Sequence, residues 1–395
     1  MRLLDRYIIF SSVFALFTEA FYFNYFIDIK LYYIILVSNF LLLSINHKIS
    51  ISKNLIIILC FILAHGVVSY LLLWNPINSL FAQLIGISIS SVFFYNLLKL
   101  YSTKKIFQTY LNFAFWIAVL AIPMYIFKIN SFSVNRLNGI LTEPAHYAAI
   151  MLPATYVFFR TKSYLRLTIV IFTILLSKSS IGYFGLILIL ILPIFKISYF
   201  IKYAWVVIII LGSITYYLNS QWNMPVDENN SNLLVRRLKQ TNESLNAINT
   251  GRFKEDTNLS SYAFISNAFI SREIFMKTPL GAGLGGYQYE YDKFYYKLTP
   301  PSYLMTLNLS KINRTDANSL LLRMIGDFGF IALIVLAYFF YLSYRLFQQD
   351  KKILRQSTFF YLIVKIIREG HYFPPEFYFF LLIFLKEFDE DTTHS

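Results

Sequence analysis

Apolar residues come in long runs separated by short polar joints, and the alternation repeats almost to the end of the chain. As helices, runs of about 18–20 residues cross a hydrocarbon core of roughly 30 Å. Such runs lie near 7–24, 27–45, 55–73, 79–98, 107–127, 144–159, 165–178, 181–195, 203–219, 322–344, 357–370 and 376–388. The pattern predicts an all-α polytopic membrane protein with about twelve transmembrane helices. One stretch, 220–317, interrupts it, with Asn, Asp, Glu, Ser, Arg and Tyr in the proportions of a soluble protein. Inside it, 232–248 and 259–276 carry apolar residues at helical spacing, which predicts two amphipathic helices lying on or against the membrane domain. The expected organisation is helices one to nine over 1–219, a large loop over 220–317, and helices ten to twelve with a short tail over 318–395.

Composition sharpens this picture. Hydrophobic residues make up 57% of the chain and charged residues 14%, with a mean hydropathy of +0.55. A soluble domain carries about 25% charged residues. The net charge of +14 does not imply nucleic acid, because the basic residues cluster in every second short loop. Arg2 and Arg6, Lys48 and Lys53, Lys99, Lys104 and Lys105, Arg160, Lys162 and Arg166, Lys196 and Lys202, and Arg345, Lys351, Lys352 and Arg355 mark one side. The alternate loops are almost free of them. That asymmetry places both termini in the cytoplasm, and the large loop and the shorter connection 129–143 on the outer, periplasmic side. The first apolar run is followed by large aromatics and Asn24, not by small residues, so it reads as an uncleaved span. The single cysteine, Cys60, rules out a disulfide framework.

Candidate chemistry gathers on the outer side. GAGLGG places Gly281, Gly283 and Gly286 at the dinucleotide-fingerprint spacing. The motif follows a predicted helix, not a strand, and opens no βαβ unit, so a nicotinamide or flavin cradle does not fit. The glycines read instead as a tight turn, with presentation of backbone N–H groups to an anion as a secondary role. In the short loop, Arg136 precedes Glu143 and His146, which share a helix face, and Thr142 is placed to cap that helix. Arg252 and Arg272 belong to the large loop. Arg314, Asp316 and Asn318 stand at the entry to the tenth run, and Lys365, Arg368 and His371 close the eleventh. Arginine suits a pyrophosphate because its planar fork bonds two oxygens and stays charged. Glu19, His65 and Gln83, inside runs, read as helix–helix hydrogen-bond partners. Tyr287, Tyr289 and Tyr291 are candidates for stacking on sugar rings.

Several of these stretches, taken in order, resemble the bacterial O-antigen polymerases (Wzy type) of the O-antigen polymerase and ligase superfamily. RLNGILTEPAHYAA resembles that family's Arg-x-x-Gly…Glu-Pro segment, and SKSSIGYFGLILIL its Ser-rich entry to a later span. GRFKEDTN…SREIFMKTPLGAGLGGY is similar to its large-loop pattern, with the Arg272-to-Gly283 spacing of Arg-x10-Gly. DANSLLLRMIGDFGFIALI resembles the segment entering the following span. Two departures stand out: Ala317 occupies the place of the family's frequent histidine, and 220–317 contains no histidine of the kind proposed as the ligase base.

The resemblance implies a GT-C-like fold and a metal-independent, polyprenyl-pyrophosphate-dependent glycosyltransferase. A growing glycan on undecaprenyl pyrophosphate would move as a block onto a hydroxyl of the next lipid-linked repeat unit, both substrates being undecaprenyl-pyrophosphate-linked glycans. It implies Glu143 and His146 as catalytic groups. Arg136, Arg252, Arg272, Arg314, Arg368 and His371, with Gly281 and Gly283, would hold pyrophosphate and substrate. No cofactor and no metal is expected; membrane lipids and a chain-length-determining co-polymerase are the expected partners. An O-antigen ligase and a lipid-linked oligosaccharide flippase are the alternatives.

Overall fold

The computed structural model describes residues 3–24, 28–130, 132, 135–192, 245–349 and 351–386. The run 203–219, nearly all of the predicted helix 232–248, including Arg236 and Arg237, and the tail 387–395 lie outside them. The described chain is mostly helical. It begins with α1 (Leu3–Ala15), a small antiparallel hairpin of β1 (Tyr22–Asn24) and β2 (Asp28–Lys30), and α2 (Leu31–Asn46). The helices α3 (Lys53–Leu73), α4 (Asn78–Leu100), α5 (Thr103–Ile126), α6 (Pro144–Arg160), α7 (Tyr164–Leu176) and α8 (Ser180–Ile191) follow. Past residue 244 come α9 (Ala247–Thr250), α10 (Leu259–Lys277), α11 (Tyr287–Phe294), which runs into a 3-10 turn at Tyr295–Lys297, and α12 (Ser302–Thr306). The chain then forms α13 (Leu320–Phe328), α14 (Phe330–Phe347), α15 (Ile353–Arg368) and α16 (Pro375–Leu385).

Four of these, α3, α4, α5 and α14, are long and apolar enough to cross a membrane; α2, α7, α8 and the segment Glu376–Leu385 are shorter apolar helices. Their surfaces agree with a lipid environment. Along α3, Ile56, Ile57, Ile58, Phe61, Val68, Leu71 and Leu72 all stand exposed, an outward face that water would disfavour. With no water to satisfy peptide groups, such segments close their hydrogen bonds internally as helices. At the centre, α15 packs along α6 and α16 and buries Phe360, Leu362 and Val364.

Polar contacts between connections fall into two sets, one at each end of the bundle. One end joins Asp5 to Tyr101, Ser50 to Asn96 and Lys99, Arg160 to Tyr156, Tyr156 to Gln356, and Lys386 to the Leu98 carbonyl. Among the described residues, the basic loops lie at this end. The other joins the hairpin, the α3–α4, α5–α6, α7–α8 and α15–α16 connections and the unit around α9–α12.

Two expectations change. The first run does not continue to residue 24: α1 ends at Ala15, Thr18 bonds the Ala15 carbonyl, and Glu19 lies in a turn outside the helix. The tenth run is broken at Gly329 into α13 and α14. The helix α10 packs against α13 and keeps an outward side that carries Arg272 and Met276. It starts at Asn258, whose side chain accepts the Ser261 N–H, and buries Tyr262, Phe269, Ile270 and Ile274 together with Ser266, Asn267 and Ser271. Its small polar residues bond carbonyls, Asn267 that of Ala263 and Ser271 that of Leu322 on α13, so buried polar groups at this contact are satisfied.

Candidate functional site

The glycine turn explains the break at Gly329. A helix leaves its last carbonyls unsatisfied. Here the turn supplies the missing donors: Ala282 N–H bonds the Gly326 carbonyl at 2.8 Å and Gly283 N–H that of Asp327 at 2.8 Å. The buried Asp327 carboxylate accepts from Gly285 N–H at 3.2 Å, Tyr287 N–H at 2.9 Å and Tyr372 Oη at 3.1 Å. From the other side, His65 donates to the Leu280 carbonyl at 2.8 Å, while Tyr70 and Ser79 bond the carbonyls of Leu284 and Gly285. Non-helical backbone is thus carried beside α3 and α4 with its groups satisfied by protein. Gly281, at φ +86°, lies so close to Asp327 that a Cβ would sit 2.5 Å from its carbonyl. The N–H groups of Gly281, Ala282, Gly283, Gly285 and Gly286 are engaged inside the chain. Gly281 and Gly283 therefore stand as scaffold, and their reading as a pyrophosphate cradle gives way.

The segment 365–372, at the end of α15, collects the ionisable groups. Lys365 is fully buried and donates to Glu369 at 3.2 Å. Glu369 lies 3.7 Å from Nε2 of His146, whose Nδ1 bonds Glu19 at 2.7 Å; Lys30 on the hairpin reaches Glu19 at 4.0 Å. Gly370 offers its carbonyl to the buried Arg323 at 2.9 Å, and Arg323 also bonds Gln83 at 2.8 Å. On the far side of the segment, His371 Nε2 pairs with Asp316 at 3.1 Å. Asp316 accepts the Asn318 N–H at 3.2 Å. Burial works against its ionisation, but the bond and charge of His371, the Asn318 N–H and the Asn313 side chain outweigh it and hold the carboxyl below its usual range.

The structure brings some sequence candidates together and separates others. Glu143, His146, Arg368, His371 and Asp316 converge on this segment or on the imidazole beside it. Glu143 occupies the N-cap of α6, ahead of Pro144, and its exposed carboxylate makes no cap bond. Thr142 is not the cap; its hydroxyl lies 3.4 Å from His146 Nδ1. With a carboxylate at each ring nitrogen, His146 has no free lone pair to accept a proton, and a charge-linking role replaces the catalytic one. Arg368 is half-buried and has no hydrogen-bond or ion-pair partner among the described residues.

Arg136 sits elsewhere, bonding the Ser177 carbonyl at the α7–α8 turn at 3.3 Å. Arg252 and Arg272 are on the α9–α12 unit, where Arg272 pairs with Glu273 at 3.1 Å and Arg252 is exposed beside Thr299. Arg314 is bound by Asp292, which Lys311 also reaches. Tyr287 and Tyr291 are fully buried, so neither stacks on a sugar; Tyr289, half-buried, packs edge-on against Tyr70.

Sequence reasoning passed over Lys30, Glu369 and the Arg323–Asp327 pair, and read Glu19 only as a helix–helix hydrogen-bond partner. The available signal was that ionisable residues inside or beside apolar runs have few structural uses. Glu369 adjoins Arg368 in such a position, and Asp327 lies within the tenth run.

Fold and site together define a membrane-embedded helical protein with a folded polar unit and a cluster of ionisable groups at the same end of the bundle. No known protein-family model matches the chain, and no curated protein matches it either.

Proposed function

We propose that this protein polymerises polyprenyl-pyrophosphate-linked oligosaccharide repeat units at the outer face of the cytoplasmic membrane, through about twelve spans in a GT-C-like arrangement. The observation that carries the reading is Arg368: a half-buried guanidinium without a partner among the described residues, at the end of α15, on the segment whose Glu369 and His371 meet acid and imidazole groups from other connections. A cation left uncompensated at a membrane surface suits an anionic headgroup. In the proposed reaction the donor pyrophosphate lies on Arg368, whose charge stabilises the departing oxygen as the anomeric C–O bond breaks. The exposed Glu143 carboxylate, at the N-cap of α6, is assigned the part of facing the positive charge that grows on the anomeric carbon. Ordered sequence segments that resemble the O-antigen polymerases support the same reading, as do the basic loops at the opposite end of the bundle, which orient the site outward.

A second reading has its own support. Discontinuous helices and ion pairs buried at depth are features of transporters, and α13–α14 and Lys365–Glu369 supply both. Deleting the gene in its host, then separating surface polysaccharide and lipid-linked precursors on a gel, distinguishes the cases. The polymerase requires the ladder to collapse to a single capped unit. Long lipid-linked chains accumulating outside would make the protein a ligase, single units trapped inside a flippase, and an unchanged ladder would remove all three.

A further inference from the structure

The chain has five histidines, and four of them lie among the described residues. At the basic end, His47 faces Asp5 and Tyr101. His65 bonds the Leu280 carbonyl and packs between Phe61 and Phe328, its other nitrogen buried. In His146 both nitrogens face carboxylates. His371 differs. Its Nε2 is held by Asp316, its ring is 53% exposed, and Nδ1 has no partner among the described residues. A carboxylate that fixes one ring nitrogen as a donor leaves the other as a lone-pair acceptor in a set direction, the arrangement a general base requires.

The surrounding backbone enforces this pairing. A side chain at Gly370 would overlap the Asp316 carbonyl, its Cβ only 1.3 Å away, so the two segments meet in direct contact. Ala317 and Asn318 both adopt left-handed φ, +57° and +58°, which costs about 1 kcal/mol or more for a residue with a Cβ and is tolerated where the surroundings impose it. Ser319 ties the turn to α15 by donating to the Ile366 carbonyl at 2.8 Å. The Asn318 side-chain amide is buried and its Nδ2 has no acceptor among the described residues. A strained turn, a buried donor without an acceptor among the described residues and an oriented imidazole therefore meet at Asp316, the imidazole three residues along its segment from Arg368.

We propose that His371, positioned by Asp316, is the base that deprotonates the acceptor hydroxyl; this rests on the glycosyl-transfer reading above. The acceptor O–H proton passes to His371 Nδ1 as that oxygen bonds the donor's anomeric carbon. The anomeric C–O bond to the pyrophosphate breaks, and its electron pair leaves with the lipid pyrophosphate. The proton then leaves the imidazolium to water at the exposed edge. Asp316 and Asn318 face the ring from the turn before α13, and Arg368 and Glu369 flank it on its own segment. Arg323 and Asp327 lie behind Tyr372.

The test uses spheroplasts of the host deletion strain carrying the full chain, with the cell's own lipid-linked units as substrate. The initial rate of polymer formation is measured across external pH. His371→Ala is expected to lower the rate about 100-fold or more, abolish the acid limb of the pH profile, and recover partly with added imidazole. Asp316→Asn should lower the rate less and displace the acid limb. If His371→Ala does not accumulate in the membrane, His371→Gln, whose amide can still bond Asp316, is read the same way. A His371 variant present at wild-type level with an unchanged ladder overturns the proposal. So does a loss of rate with the wild-type pH profile and no response to imidazole, since that marks a structural role. The deletion strain reports separately on the underlying reading: if it keeps its ladder without the gene, glycosyl transfer itself fails.

Discussion

At the level of single residues, the decisive fact is which charges are compensated. Lys365 is fully buried, and its ammonium depends on Glu369. Removing one partner of a buried pair leaves the other charge stranded, at a cost of about 3–5 kcal/mol. Lys365→Met should therefore lower the thermal midpoint of the detergent-solubilised protein sharply. The double variant Lys365→Met/Glu369→Gln should cost less than the sum of the two single changes, because the stranded carboxylate is gone. Strict additivity would mean that the two groups do not sense each other. Glu369 also serves His146, so full recovery is not expected. By contrast, Arg272 and Arg314 are exposed and paired with neighbouring carboxylates, where an ion pair contributes about 0–1 kcal/mol.

Secondary-structure elements show why a continuous apolar run need not be a continuous helix. The stretch 322–344 reads as one span, yet α13 stops at Phe328 because the glycine turn caps its carbonyls and Phe330 N–H turns to the Pro279 carbonyl. Two substitutions separate this clamp from ordinary turn strain. Gly281→Ala and Gly283→Ala both place an alanine at positive φ, at about 1–3 kcal/mol each. At Gly281 the new Cβ meets the Asp327–Phe328 backbone at 2.5 Å, whereas at Gly283 its nearest atoms, on Ser69, Tyr70 and the Gly66 backbone, lie at 3.1–3.2 Å and need give by only a few tenths of an ångström. Gly281→Ala should be the more destabilising by thermal denaturation, and equal losses would argue against the clamp. The turn was visible in the sequence as GAGLGG, but its partner was not. Asp327 lies 41 residues after Gly286, and only packing reveals that its carboxylate reads the N–H groups of the turn.

For the whole molecule, the two sets of polar contacts at opposite ends of the bundle match the alternation of basic and non-basic loops. The proposed orientation rests on that alternation and can be checked directly. In a Cys60→Ser background, Tyr296→Cys and Lys162→Cys place a single exposed thiol at each end. A membrane-impermeant maleimide applied to intact spheroplasts should label the first at once and the second only after lysis. The opposite order would put the ionisable cluster in the cytoplasm and remove the basis for chemistry on an exported lipid-linked substrate.

The sequence by itself determined the class of molecule, because hydropathy is a local property: a long apolar run in lipid must satisfy its own peptide groups and so becomes a helix. It also marked the polar unit around α9–α12, the start of α6 at Pro144 and the end of α10 before Thr278. Arg368, His371 and Asp316 stood out as polar groups at run ends. Tertiary structure alone decided their relations. Glu19 and His146 are 127 residues apart and bond at 2.7 Å, and this contact draws Glu19 into a turn outside α1. The same packing surrounds His146 with carboxylates and leaves His371 open beside Asp316. Whether a charged group is a partner, a scaffold or a reagent depends on what faces it across helices, and that information is carried by no single stretch of chain.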